Sequence, residues 1–174
     1  MNQASKMKSP DNVPETRQYL TFTLAGETFA VGTLSVKEII EYGQLTGVPM
    51  MPPSIRGVIN LRGAVVPVID LGARFGGRQT EVGRRTCIVI LEVDHADEQQ
   101  VIGVLVDAVN EVLEIAPADI EPPPAFGAHI RTDFIQGMGK VGGHFVILLD
   151  IGRVLSVDEL AVLAQVAGSP TTNE

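Results

Sequence analysis

The order of apolar and polar positions along the chain is that of a β protein. Leu20, Phe22 and Leu24 alternate with Tyr19, Thr21 and Thr23, and Ala25-Gly26-Glu27-Thr28 turns the chain into Phe29 and Val31. This predicts a hairpin with one buried face. Residues 64–71 predict a mostly apolar strand in which Pro67 lacks a backbone donor, so it belongs at an edge or a bulge. Residues 87–93 and 101–106 flank a polar turn from Asp94 to Gln100. Both are almost continuously apolar, as strands buried on two sides are. Val109 to Ile115 alternates again. Helical signals are few. Pro52-Pro53 predicts a turn of helix near 53–60. Ser156-Val157-Asp158-Glu159 is a capping box, and Leu160, Leu163 and Ala164 continue it as a helical stripe. Residues 1–17 are polar and predict a disordered arm, 18–166 the folded domain, and 167–174 a tail.

Within the domain the second half repeats the first, loosely but in order. Val36-Lys37-Glu38-Ile39-Ile40-Glu41 recurs 73 residues later as Val109-Asn110-Glu111-Val112-Leu113-Glu114. Ile55-Arg56-Gly57 through Asp70-Leu71-Gly72 recurs at a spacing of 80 as Ile135-Gln136-Gly137 through Asp150-Ile151-Gly152. The first copy carries Arg56, Arg62 and Pro67 where the second has Gln136, Gly142 and Ile147. Shared positions encode a common fold; unshared ones are where specialisation can sit. With eighteen Gly and eleven Pro among short strands, the pattern predicts two similar small barrels packed on each other, a single sandwich being the alternative.

Composition changes this picture little. Apolar residues are 45% of the 174, and Trp is absent, so the core must be aliphatic. The net charge of −8 argues against nucleic-acid binding, which needs clustered Lys and Arg. The charges are segregated: six Arg lie between Arg56 and Arg85, and nine carboxylates but no Lys or Arg between Thr86 and Glu121. That asymmetry suits either two solvated faces or docking to another protein. Cys87 is the lone cysteine, in an apolar run, so it reads as a buried thiol in a reduced, cytosolic setting. No apolar run is long enough to span a bilayer, and the first sixteen residues lack a signal-peptide core.

Catalytic chemistry is not evident. His95, His129 and His144 lack metal-ligand spacing, and Gly137-Met138-Gly139-Lys140 lacks the hydroxyl residue of a phosphate cradle. Asp70 and Asp150 could be an acid–base pair. Their matching places at strand ends favour helix-cap or turn roles. No cofactor or metal is expected.

The run Gly57-Val58-Ile59-Asn60-Leu61-Arg62-Gly63, followed by Ala64-Val65-Val66-Pro67-Val68-Ile69-Asp70-Leu71, resembles the CheW family of bacterial chemotaxis coupling proteins. Tyr19-Leu20-Thr21-Phe22-Thr23-Leu24 with Phe29-Ala30-Val31, and Val36-Lys37-Glu38-Ile39, resemble that family's opening segments in the right order. The resemblance covers about residues 18–166. It implies two SH3-like five-stranded β-barrel subdomains around a shared hydrophobic core, with short helices and a C-terminal helix. It also implies a non-enzymatic cytoplasmic adaptor at the inner face of the membrane, coupling chemoreceptor tips to a CheA-type histidine kinase whose regulatory domain is itself CheW-like. An adaptor of a pilus-motility or other chemosensory pathway is the alternative. The capped final helix and polar tails are those expected of a whole adaptor rather than a free kinase domain.

Carried over residue by residue, the resemblance implies receptor contacts at Val36, Glu38, Ile39, Gly57 and Arg62, with Val65, Val109 and Val112 as further groove positions. A receptor tip is a helical hairpin, and a helix docks by laying an apolar stripe in a groove. Val36 and Ile39 would supply apolar contact or be ordinary core. Gly57 would allow close approach of a partner's backbone or only satisfy a turn. Arg62 would clamp a carboxylate or hold the groove's own shape. The Arg-rich stretch makes Arg84 and Arg85 candidates for kinase contact.

Overall fold

The computed structural model describes residues 16–43, 45–76, 79–95, 98–123 and 134–154. The predicted arm up to residue 15, the capping box at Ser156 and the tail lie outside the described residues. Eleven strands are described: β1 (Arg17–Leu24), β2 (Glu27–Gly32), β3 (Val36–Glu41), β4 (Ile55–Leu61), β5 (Ala64–Asp70), β6 (Cys87–His95), β7 (Glu98–Val106), β8 (Ala108–Ile115), β9 (Ile120–Glu121), β10 (Ile135–Val141) and β11 (His144–Leu149). Two short helices, α1 (Leu71–Gly76) and α2 (Ile151–Val154), follow β5 and β11. β1 thus begins at Arg17, the last residue assigned to the arm.

The strands form two sheets, ordered β3-β6-β7-β5-β4 and β8-β1-β2-β11-β10-β9. Position for position these are one sheet built twice. β4–β5 and β10–β11 are the repeat at spacing 80, β3 and β8 the repeat at spacing 73. β5 pairs in parallel with β7 through Val68 and Gly103, as β11 does with β2 through Leu148 and Ala30. The counterpart of β6–β7 is therefore β1–β2, taken from the start of the chain. The second barrel is the first one's topology rotated in sequence order, which is why only its later part lines up as a repeat.

The bulges repeat too. Each barrel slips register between Ile and Gly of Ile55-Arg56-Gly57 or Ile135-Gln136-Gly137. Gly57 is buried at φ +151, where an added Cβ would overlap the Thr46 carbonyl. At Gly137 a Cβ would lie 2.6 Å from Ile120 Cγ2 and 3.1 Å from the Glu121 carbonyl oxygen. Thr46 bridges Val58, and Glu121 of β9 pairs with Met138, the residue equivalent to Val58. In both barrels the chain leaving the edge strand crosses over that glycine to close the sheet. Counted this way β9 is the counterpart of Thr46, and each barrel has five principal strands.

Three apolar clusters fill this architecture. Ile59, Val66, Val68, Ile88, Ile90 and Leu105 fill the first barrel; Tyr19, Ala30, Ile115, Val146 and Leu148 fill the second. The largest lies between them, where Leu20, Phe22 and Leu24 meet Val89, Leu91, Val93, Ile102 and Val104. β6 alternates Ile88 and Ile90 into its barrel with Val89 and Leu91 into the shared core, which explains its unbroken apolar run. β1 does likewise, contrary to the one-faced hairpin predicted: Tyr19 and Thr21 are as buried as Leu20 and Phe22. Closure of the second barrel covers that face. Thr21 is tolerated because its hydroxyl accepts from the Glu111 amide at 3.1 Å and donates to the Glu111 carbonyl at 2.8 Å, satisfying the residue that bulges out of β8.

Four local expectations need correction. Residues 55–61 are strand, not helix, because the Ile55, Ile59 and Leu61 positions pair with β5 and the Pro52 turn ends at a single Ile55 amide–Pro52 carbonyl bond of 2.9 Å. Pro67 lies on an interior strand. Its partner Val58 turns both backbone groups toward Thr46 (2.8 and 2.9 Å), and pairing of β5 with β7 begins only at Val68, so the missing donor falls where no ladder needs it. The polar turn from Asp94 to Gln100 is mostly ladder, with Asp94 opposite Gln99 and His95 opposite Glu98. The first hairpin turns on Ala25-Gly26 alone (φ +50 and +84), with Glu27 and Thr28 already in β2.

Candidate functional site: an ion pair on the first barrel

β3 is the edge strand of the first sheet and carries three of the implied receptor residues. Val36 is half-buried against the shared core, and Ile39 is 42% exposed. Between them Lys37 bulges outward, with its ammonium 3.2 Å from Glu92. The bulge turns Glu38 toward the β4–β5 hairpin. There Arg62 Nη1 and Nη2 donate to the two Glu38 carboxylate oxygens at 2.5 and 2.9 Å. These hydrogen bonds hold the Glu38 carboxyl below its ordinary value and raise Arg62 above its own.

The backbone under Arg62 is unusual. Arg62 and Gly63 are the two central residues of the hairpin, at φ +53 and +90, and the Asn60 side chain accepts from the Gly63 amide at 2.8 Å. A tight hairpin of this hand favours Asn or Gly at both positions, and a side chain with a Cβ is strained there. The second barrel has the relaxed solution, Gly142-Gly143 at φ +56 and +83. The hairpin equivalent to Arg62's therefore offers Glu111, the counterpart of Glu38, no arginine. The first barrel keeps a strained Arg62, 73% exposed, where the same turn is satisfied by glycine.

The structure gathers Val36, Glu38, Ile39, Arg62 and half-buried Val65 around β3 and one hairpin. Val109 and Val112 are on β8 of the other sheet, and Val112 is 52% exposed. The two sets are linked through the shared core, on which both Val36 and Val109 pack. Gly57 belongs to barrel closure: the backbone it admits is Thr46 of its own chain. A groove of about 770 Å³ runs where β1 begins and β2, β6 and β11 end, walled by Tyr19, Val31, Leu34, Glu92 and Asp150, and none of the implied receptor residues lines it. Arg84 and Arg85 are exposed on the segment between α1 and β6.

Asp70 and Asp150 occupy the cap positions expected of them. The Asp70 carboxylate accepts from the Ala73 amide at 3.1 Å at the start of α1. It is wholly buried, with Arg56 Nη1 and the Thr80 amide and hydroxyl each 2.7 Å away, so it is committed to structure. Arg56 was visible as an unshared position; its partner Thr80 left no signal in sequence. Among the described residues no group of three or more His, Cys, Asp or Glu could hold a metal, and no helix is long and apolar enough to cross a membrane.

Comparison with known proteins decides the family. The pattern of the CheW-like domain matches residues 18–159. The chain belongs to the CheW-like family. It is 36% identical over 153 residues to a chemotaxis protein CheW of Klebsiella aerogenes, covering 88% of this chain and 90% of that one. It is 32% identical over 143 residues to CheW of Rhizobium meliloti, covering 82% and 90%. Among solved structures, the scaffolding protein TtCheW of Thermoanaerobacter tengcongensis superposes with a TM-score of 0.73 at 32% identity, over 83% of this chain and 97% of that one. The two-barrel architecture and the chemotaxis adaptor role expected from the resemblance therefore hold, and the family is one of scaffolds.

Proposed function

We propose that this CheW-like protein is a non-enzymatic adaptor that joins the cytoplasmic tips of chemoreceptors to a CheA-type histidine kinase, at the inner face of the membrane. The observation that carries the receptor side is the Glu38–Arg62 pair, built on a strained turn in the one barrel and replaced by glycine in the other. A surface ion pair stabilises a fold very little. A strained backbone retained to present one points to a role in recognition. The pair fixes the hairpin against β3 and leaves Val36 and Ile39 beside it as an apolar ledge, the combination a receptor helix needs. Val65, half-buried on the hairpin that carries Arg62, and Val109 and Val112 on the other barrel are the further apolar positions this reading assigns to the receptor.

For the kinase side, Arg84 and Arg85 are exposed arginines suited to an acidic protein surface. A duplicated module with unlike ends fits head-to-tail contacts with a CheW-like kinase domain.

The receptor reading is tested by capturing a receptor cytoplasmic fragment with the wild type, Arg62→Ala and Val36→Met. Both variants should capture it at least tenfold less well while keeping their near-native circular dichroism. Equal capture by all three would place the receptor contact elsewhere.

A further inference from the structure

Asp70 accepts four hydrogen bonds, and a helix cap needs only the one from Ala73. The other three tie the segment after α1 to the end of β5: the Thr80 amide, the Thr80 hydroxyl and Arg56, which also donates to the Thr80 carbonyl at 2.9 Å. The second barrel is an internal control. The Asp150 amide donates to the Phe134 carbonyl at 2.9 Å, as the Asp70 amide does to Ser54 at 2.7 Å, so the two aspartates are equivalently placed. Gln136 nevertheless stands where Arg56 does, and Asp150 is 46% exposed with Arg153 Nε at 3.5 Å. Both barrels keep the aspartate, and only the first pairs it with an arginine from the neighbouring strand.

The same segment is fastened at its far end. The Thr86 hydroxyl accepts from the Gly83 amide at 2.7 Å, and the Thr86 carbonyl accepts from the Tyr42 amide at 3.2 Å. Between the two fastenings Glu81, Val82, Gly83, Arg84 and Arg85 are all exposed, Val82 by 47%. A buried ion pair adds little net stability, but breaking it is costly, so it holds one geometry against alternatives. A loop held in one geometry before binding does not lose that freedom on binding.

We propose that Arg56, Asp70 and Thr80 are positioning residues for a preorganised docking loop, Thr80 to Thr86, which presents Val82, Arg84 and Arg85 to an acidic surface of the kinase partner. This rests on the assignment of Arg84 and Arg85 to the kinase side. The chemistry that would recognise the loop is a carboxylate-bearing surface with room for one small apolar side chain.

The test uses the full chain with Arg56→Gln, which copies the second barrel, and Thr80→Val, which removes one hydroxyl, with Thr80→Ser as the conservative control. Amide hydrogen exchange is read across residues 79–86 and in β5 and β6, and affinity for the kinase's CheW-like domain is measured alongside. Arg56→Gln and Thr80→Val should speed exchange in 79–86 with β5 and β6 unchanged, and weaken binding about fivefold, roughly 1 kcal/mol; Thr80→Ser should restore both. Unchanged exchange in the loop, or faster exchange there with unchanged affinity, overturns the proposal. Arg84→Glu with Arg85→Glu separates the two readings. If that double variant binds normally the kinase assignment fails, whereas the exchange data still decide whether Asp70 and its partners hold the loop.

Discussion

Asp70 shows how one residue type at one position takes two roles. Burial alone would raise its carboxyl, but the Thr80 hydroxyl, the Thr80 and Ala73 amides and Arg56 outweigh this and hold it below its ordinary value. The folded pKa is therefore lower than the unfolded one. Its contribution to stability is present above the unfolded value, about 4, and is lost as pH falls below it. An acid titration of unfolding should show this loss in the wild type and a shallower acid slope in Asp70→Asn. Asp70→Ala leaves Arg56 facing a buried gap and should cost about 3 kcal/mol in chemical denaturation. Arg62 behaves oppositely. Arg62→Gly relaxes the turn and should raise the melting temperature slightly, while receptor capture falls as it does in Arg62→Ala. At this scale the sequence told much: the twin aspartates and the single Arg62 were both legible from the repeat. Thr80 was not, because its bond to Asp70 joins residues ten apart in sequence on either side of α1, a separation that no strand or helix periodicity marks.

Elements owe their shape here to places where the pattern breaks. β3 and β8 each carry a bulge, and β4 and β10 each slip at a glycine, so twist and closure are repeated along with the strands. Gly103 is a further instance. It faces Val68 across the parallel pair, and a Cβ would lie 2.8 Å from Ile88 Cγ2 and 3.3 Å from Val68 Cγ2. Gly103→Ala should destabilise the protein by about 1–3 kcal/mol, read as a shift in denaturation midpoint. Its counterpart Ala30 already holds a methyl group, with Thr21 and Leu148 as cross-strand partners where Gly103 has Ile90 and Val68. Alternation and apolar runs predicted the strands well. They failed at 53–60, where two prolines suggested a helix and cross-strand pairing with β5 decided the matter. They also failed at Pro67, whose tolerance depends on where the β7 ladder begins.

For the whole molecule, the rotated chain order means that the second barrel is closed by the first hairpin. Removing residues 17–32 would uncouple β8 from β11 and strip Leu20, Phe22, Leu24, Phe29 and Val31 from the shared core. Such a truncation should be unfolded by circular dichroism, with no independently stable first barrel left, because that core is common to both. The repeat in sequence revealed two barrels but not this exchange of hairpins, since a linear comparison cannot align β6–β7 with a segment that precedes it. The arrangement leaves the Glu38–Arg62 patch and the Thr80–Thr86 loop on the same barrel, on different elements, so one module can hold two partners. The most direct check is reconstitution of a receptor fragment and the kinase with the purified protein, followed by co-sedimentation. Wild type should bring both partners down together, Arg62→Ala should keep the kinase and lose the receptor, and Arg84→Glu with Arg85→Glu should do the reverse. Wild type that captures neither partner, or an Arg62→Ala variant that holds both undiminished, would contradict a bridging adaptor built around that ion pair.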